Sequence, residues 1–256
     1  MGINNRNYNT DNTVIEEPKT TLGSNKSSSQ AGVNFAKIFG YMFAALGVTA
    51  IVATLVGLGF NAWIKSNNNV VPSGMNVILV VASILTVIVN LVMNFVCLNK
   101  GKGVKFAFFF FAALMGVTMA SLTTFVDWYL LAVAFGLTAG VFAIMWLIAL
   151  IGGQKLTPLA IVGTSVLFGA ILVGSITALI VAFSTLRVNP TFVWIIDFVI
   201  FGAVMLITIY DISHINDIVR KSEVTDNTAI FCACTLYVDF IYIFIRILAI
   251  VARSRN

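Results

Sequence analysis

Five intervals of this chain run for more than twenty residues without a single charged side chain. They lie between Lys37 and Lys65, Lys65 and Lys100, Lys105 and Asp127, Asp127 and Lys155, and Lys155 and Arg187. A helix crossing the hydrocarbon of a bilayer needs about 20 mostly apolar residues, because every backbone polar group must be satisfied within the segment. Each interval is long enough for one span. Two further apolar runs follow: Pro190 to Tyr210, containing Asp197, and Asn227 to Ala252, containing Asp239 and Arg246. The spacing therefore predicts seven transmembrane helices. The composition agrees, with 59% hydrophobic and 10% charged residues and a mean hydropathy of +1.00, far from an ordinary soluble domain.

Lys and Arg near the span ends set the orientation. With a cytoplasmic N-terminus, that side holds Lys26, Lys37, Lys100, Lys102, Lys105, Lys155, Arg220 and Lys221, against Lys65, Arg187, Arg253 and Arg255 outside. The count of eight against four favours N-in, C-out. The net charge of +5 thus reads as topology and contact with anionic lipid headgroups. No solvated basic stripe interleaved with aromatics points to nucleic acid.

Residues 1–33 are polar and rich in Asn and Ser, without a periodic apolar face, and are expected to form a disordered cytoplasmic tail ahead of a single transmembrane domain over 34–256. The first apolar stretch begins near Ala36, late for a signal peptide. Arg6 occupies the position at which a myristoylation site needs Ser or Thr. Cys97, Cys232 and Cys234 all fall in apolar segments, where they read as small buried hydrophobes rather than disulfide or metal partners. Gly136 and Gly140 form a GxxxG in the fourth span, and Ala112, Gly116 and Ala120 a small-residue stripe in the third, both expected to admit close helix packing. The Phe106–Met115 run reads as lipid-facing or packing surface.

Enzymatic templates find few parts here. The sequence holds no Gly-rich phosphate loop, no metal-spaced cluster and one histidine, His214. No cofactor is expected and the chain reads as a non-enzyme. What remains is a set of charges inside apolar helices: Asp197, Asp211, Asp239 and Arg246. Each costs about 2.5–3.5 kcal/mol at a helix centre on the insertion scale, so such residues usually face a bundle interior and mark a pathway.

The sixth and seventh spans are joined by Lys221 to Asn227, which makes them an antiparallel hairpin. Asp211 lies fourteen residues before position 225 and Asp239 fourteen after it. If the sixth helix continues through the Ile212, Ile215 and Val219 pattern, the two carboxylates reach one depth on neighbouring helices. Two carboxylates at contact distance in low dielectric must hold one proton, bind a cation or borrow a positive side chain. Arg246, seven residues beyond Asp239, either lines the same track about 10 Å higher or snorkels to the interface. Asp197, fourteen residues before Asp211 and close to the same helical face, either lines the path or is an interfacial, solvated carboxylate. His214, three residues after Asp211, either tunes the pair or sits at the interface.

"IYDISHI" (209–215) followed by "LYVDFIYIFIRIL" (236–248), with "AFGLTAGVFAIMW" (134–146), resembles the Bax inhibitor-1 (transmembrane Bax inhibitor motif) family. The resemblance implies an all-α seven-helix transmembrane bundle with the C-terminal helix central. It further implies a pH-sensitive calcium leak in which Asp211 and Asp239 are the proton-sensing, cation-attracting pair. Calcium takes six to eight oxygens, so two carboxylates suit weak, transient binding and passage. The chain departs from the pattern at Tyr242, where the family has Asn. Where family members carry a latch arginine after the second helix, Lys100 is the nearest candidate and Asn99 stands at the latch position itself.

Two other functions compete with a leak channel. One is a non-transporting regulator that binds another membrane protein, such as a protease or a stress or cell-death factor. The other is an intramembrane aspartyl protease, which the "LYV" before Asp239, in place of Gly-x-Gly, disfavours. The short "ARSRN" end suggests a prokaryotic cytoplasmic membrane.

Overall fold

The computed structural model describes residues 22–98, 103–152, 156–183, 190–221 and 224–254. Among these residues every regular element is a helix: α1 (Leu22–Ser66), α2 (Ser73–Leu98), α3 (Val104–Phe125), α4 (Trp128–Gly152), α5 (Thr157–Phe183), α6 (Pro190–Lys221) and α7 (Asp226–Ser254). Six of them contain a stretch long and apolar enough to cross a membrane, α5 being the exception within its described part, Thr157–Ala170. The chain is an integral membrane protein of the helical-bundle type.

Residues 1–21 of the expected tail lie outside the described residues. From Leu22 the chain is already helical, about ten residues before the apolar stretch Gly32–Ser66 begins. Once an apolar segment has nucleated a helix, adding polar residues to its end costs little, so the helix starts earlier than the hydrophobic pattern.

Local chemistry sets the helix ends. Asn68 and Asn69 take left-handed backbone angles (φ 56° and 61°) after α1, a region Asn tolerates better than most residues. Gly103, at φ 113°, precedes α3. Pro190 opens α6, where its missing N–H is no loss. Thr225 caps α7 by accepting the Thr228 N–H at 3.3 Å, and Asp226 in the first turn complements the helix dipole.

The main core gathers around α7, which packs against α1, α2, α3, α4 and α6. Its buried residues, among them Ala229, Ile230, Ala233, Leu236, Tyr237 and Ile243, form one broad face, with Phe231 and Tyr242 exposed on the opposite side. By contrast α2 exposes Val77, Val80, Val81, Ile84 and Val87, the face of a helix that meets lipid. Tyr237 is wholly buried. Its hydroxyl is 2.7 Å from the Thr49 Oγ1 of α1, and that oxygen also lies 2.9 Å from the Ala112 carbonyl of α3. Phe108 and Phe111 meet the Tyr237 ring edge-on at 5.9 and 5.8 Å.

The small-residue stripe of α3 packs as expected. Ala112 and Ala120 are fully buried, and a Cβ on Gly116 would stand 2.7 Å from the Val52 Cβ and 2.9 Å from the Thr49 carbonyl of α1. The GxxxG of α4 does not: a Cβ on Gly136 or Gly140 would meet nothing within 4 Å. That correction has a simple cause. Helix α4 turns Ala134, Thr138 and Met145 to the core, so the glycines, two residues around the helix from these, look outward. The Phe run of α3 does both things expected of it, with Phe108 and Phe111 buried and Phe106 and Phe110 exposed.

Candidate functional site

Helix α6 continues without a break through Tyr210–Lys221, the continuation on which the depth match of Asp211 and Asp239 depended. Asp211 lies ten residues before the end of α6 and Asp239 thirteen after the start of α7. Across the hairpin Asp211 and Thr208 of α6 both lie in the neighbourhood of Asp239, the Thr208 hydroxyl donating to the Val204 carbonyl of its own helix at 2.9 Å. Thr208 stands one turn before Asp211, on the same face of α6, and is itself fully buried.

Asp239 is buried, at 9% exposure, whereas Asp211 is half-buried. The Oδ2 of Asp239 has no hydrogen-bond partner among the described residues. A buried acceptor left in this way costs about 1–3 kcal/mol, so the position is set up for a proton, a water or a cation. Asp239 also lines a cavity of about 180 Å³ between α7 and α2, together with Asn90, Met93, Cys234, Thr235 and Val238. Seen along α7, this cleft extends from Asp239 toward the α6–α7 turn. Among the described residues no group of three or more His, Cys, Asp or Glu side chains could hold a metal ion.

The remaining charged residues are placed differently from one another. Arg246 Nη1 lies 2.5 Å from Asp197 Oδ1, and Arg253 Nη1 lies 3.1 Å from Asp197 Oδ2. The Arg253 guanidinium also sits 5.2 Å over the Trp194 ring. Asp197 is thus an ion-pair centre, not a solitary solvated carboxylate, and Arg246 does not stand alone at the interface. The reason is geometric. Asp197 lies 24 residues before the end of α6, between the 20 and 27 residues that separate Arg246 and Arg253 from the start of α7, and two long guanidinium arms converge on it.

His214 is exposed and stacks on Tyr210 at 5.9 Å with the planes 5° apart. Tyr242 is 52% exposed. Asn99 and Lys100, the latch candidates, lie outside the described residues. So does the Cys97 side chain, while Cys232 and Cys234, neither of them in a disulfide, are buried and half-buried respectively.

Three contributors escaped the sequence reading. Thr208 could have been found from its spacing to Asp211. Asn90 could not, because nothing local says which turn of α2 faces α7. At the α6–α7 turn, Asp226 pairs with Lys37 of α1 and, at 2.6 Å, with Lys105 of α3, and Lys105 lies 5.7 Å over the Tyr41 ring. This cluster ties three helices at one end of the bundle, as Asp197 ties two at the other.

A bundle of helices, six of them among the described residues long and apolar enough to cross a membrane, defines the class. The family model described as inhibitor of apoptosis-promoting Bax1 matches residues 33–256, and the chain belongs to that family. Comparison with individual curated proteins gives no match.

Proposed function

We propose that this protein is a pH-sensitive calcium leak channel whose gate is the Asp211–Asp239 pair. The observation that carries the reading is the unpartnered, buried Oδ2 of Asp239 on a cavity wall, with a second carboxylate in electrostatic reach. Protons and calcium compete for such a pair, and few oxygens mean weak binding and easy release. In this reading all seven helices span the membrane, α7 is the central one, and the N-terminus is cytoplasmic, as the Lys/Arg distribution favours. The cleft past Asn90 then opens toward the cytoplasm, and the latch role falls to Asn99 or Lys100.

A second reading is favoured by the ion-paired state of Asp197, Arg246, Arg253 and Asp226. If charges in this bundle serve as ties between helices, the protein is a non-transporting regulator that docks on another membrane protein.

Calcium entry into proteoliposomes over a pH series separates the two. For a leak channel, wild-type flux changes with pH, and Asp211→Asn or Asp239→Asn flattens the profile, with the double variant little different from either single one. Asp197→Asn leaves the profile in place. A folded chain that admits no calcium at any pH supports the regulator, and dyad variants that keep the wild-type pH midpoint remove the pair from the gate.

A further inference from the structure

A second cavity, of about 290 Å³, opens on a different side of α7. Phe240, Ile241 and Phe244 form its floor, Met119 and Leu122 of α3 one wall, and Phe135 of α4 the other. Helix α1 packs along α3, and α4 along α6 and α7, so the cavity occupies the seam between the α1–α3 pair and α4. Its rim carries two small exposed residues, Ala50 on α1 and Ala132 on α4. At one end stands Trp128, the first residue of α4, 57% exposed beside the α3–α4 turn.

Water is a poor occupant. A bound water needs two to four polar partners; of the three lining hydroxyls those of Thr49 and Thr123 are already hydrogen-bonded, which leaves Thr54 as a single further one. Thr49 Oγ1 lies within 3.0 Å of the Ala45 and Ala112 carbonyls and of Tyr237. Thr123 Oγ1 lies 2.9 Å from the Ala53 and Ala120 carbonyls. An empty groove would forfeit dispersion contacts along its whole lining. Its mouth faces hydrocarbon, the solvent that meets Ala50, Ala132 and Phe135. Since an apolar cavity of about 150 Å³ takes one benzene, this one has room for roughly a dozen carbon atoms.

We propose that this groove binds one acyl chain of a membrane phospholipid, which enters between α1 and α4 with its headgroup beside Trp128. Tryptophan at a span end sits at headgroup level, and the cavity runs from there toward mid-span, the course an acyl chain takes. The site is separate from the carboxylate pair and does not depend on calcium passage.

The test uses the full chain in nanodiscs of palmitoyl-oleoyl phosphatidylglycerol, released into mild detergent and weighed by native mass spectrometry. One retained phospholipid per chain is expected, lost in the Ala50→Phe/Ala132→Phe double variant, which fills the mouth from both sides. It is kept in Gly140→Phe, whose new side chain points into open space. No retained lipid in the wild type, or equal retention in both variants, overturns the proposal. A second measurement needs no groove variant. In vesicles doped with phosphatidylglycerol brominated on its acyl chain, a chain whose only tryptophan is Trp128 should be quenched at a lower brominated fraction than one whose only tryptophan is Trp63. Equal curves for the two also overturn it.

Discussion

Arg246 of α7 and Asp197 of α6 meet at 2.5 Å and close the far end of the hairpin whose middle carries Asp211 and Asp239. Arg253 completes the cluster at 3.1 Å from the same carboxylate. The hairpin is therefore held at a point well away from its turn, which fixes the register of α6 against α7 and hence the levels at which Asp211 and Asp239 stand.

Removing that tie should cost stability without touching the titratable pair. Arg246→Met leaves Asp197 to Arg253 alone, and because both partners of the lost pair are about a quarter exposed, the loss should be roughly 1–3 kcal/mol, between surface and buried ion pairs. The double variant Asp197→Asn/Arg246→Met should lose less than the sum of the single changes. Thermal unfolding in detergent reads both, and a fully additive pair would mean that the two side chains do not act together.

Close approach of α1 and α3 is set by Gly116. Gly116→Leu should lower stability by about 1–3 kcal/mol, since the added atoms meet Val52 and the Thr49 backbone. Gly140→Leu, on the open face of α4, should leave the melting temperature unchanged. The reverse order in a detergent melt would exchange the roles of the two glycines.

The Tyr237 hydroxyl and its ring contribute separately. Tyr237→Phe removes one hydrogen bond to Thr49, whose oxygen keeps carbonyl neighbours, and should cost about 0.5–1.5 kcal/mol. Tyr237→Ala also empties the space enclosed by Phe108 and Phe111 and should cost about 3–5 kcal/mol. Similar melts for Phe and Ala would place the stabilisation in the hydroxyl instead.

Helix α5 decides the sidedness of the α6–α7 turn. With seven spans and a cytoplasmic N-terminus, Thr225→Cys reacts with an impermeant thiol reagent only from the cytoplasmic face, and Val70→Cys only from outside, each in a background without the native cysteines. Labelling of both from the outside would mean that α5 does not cross.

The proposed pairing of Asp211 with Asp239 comes from the sequence because an antiparallel hairpin converts residue counts into depth: equal distances from the turn at 1.5 Å per residue end at one level. The same arithmetic, applied from the observed helix ends, would have put Asp197 between Arg246 and Arg253. It was missed because each charge was weighed singly against lipid and water. The α4 glycines failed for a different reason. A GxxxG motif says that one helix face is flat, not that another helix lies on it.

By itself the sequence determined what lipid and backbone chemistry impose within a single segment: where the apolar stretches of the helices run, though not the polar start of α1, and which two helices form the hairpin that carries Asp211 and Asp239. Uncharged length and backbone self-satisfaction are local properties, so they can be read residue by residue. Only the tertiary structure decided which face of each helix meets another. It set Thr49 against Tyr237, Asn90 into the cleft with Asp239, and Lys37 and Lys105 onto Asp226. Inside a membrane both faces of a helix are apolar, so the hydrophobic pattern that would sort inside from outside in water carries little signal. Close packing and a few polar contacts make the choice instead.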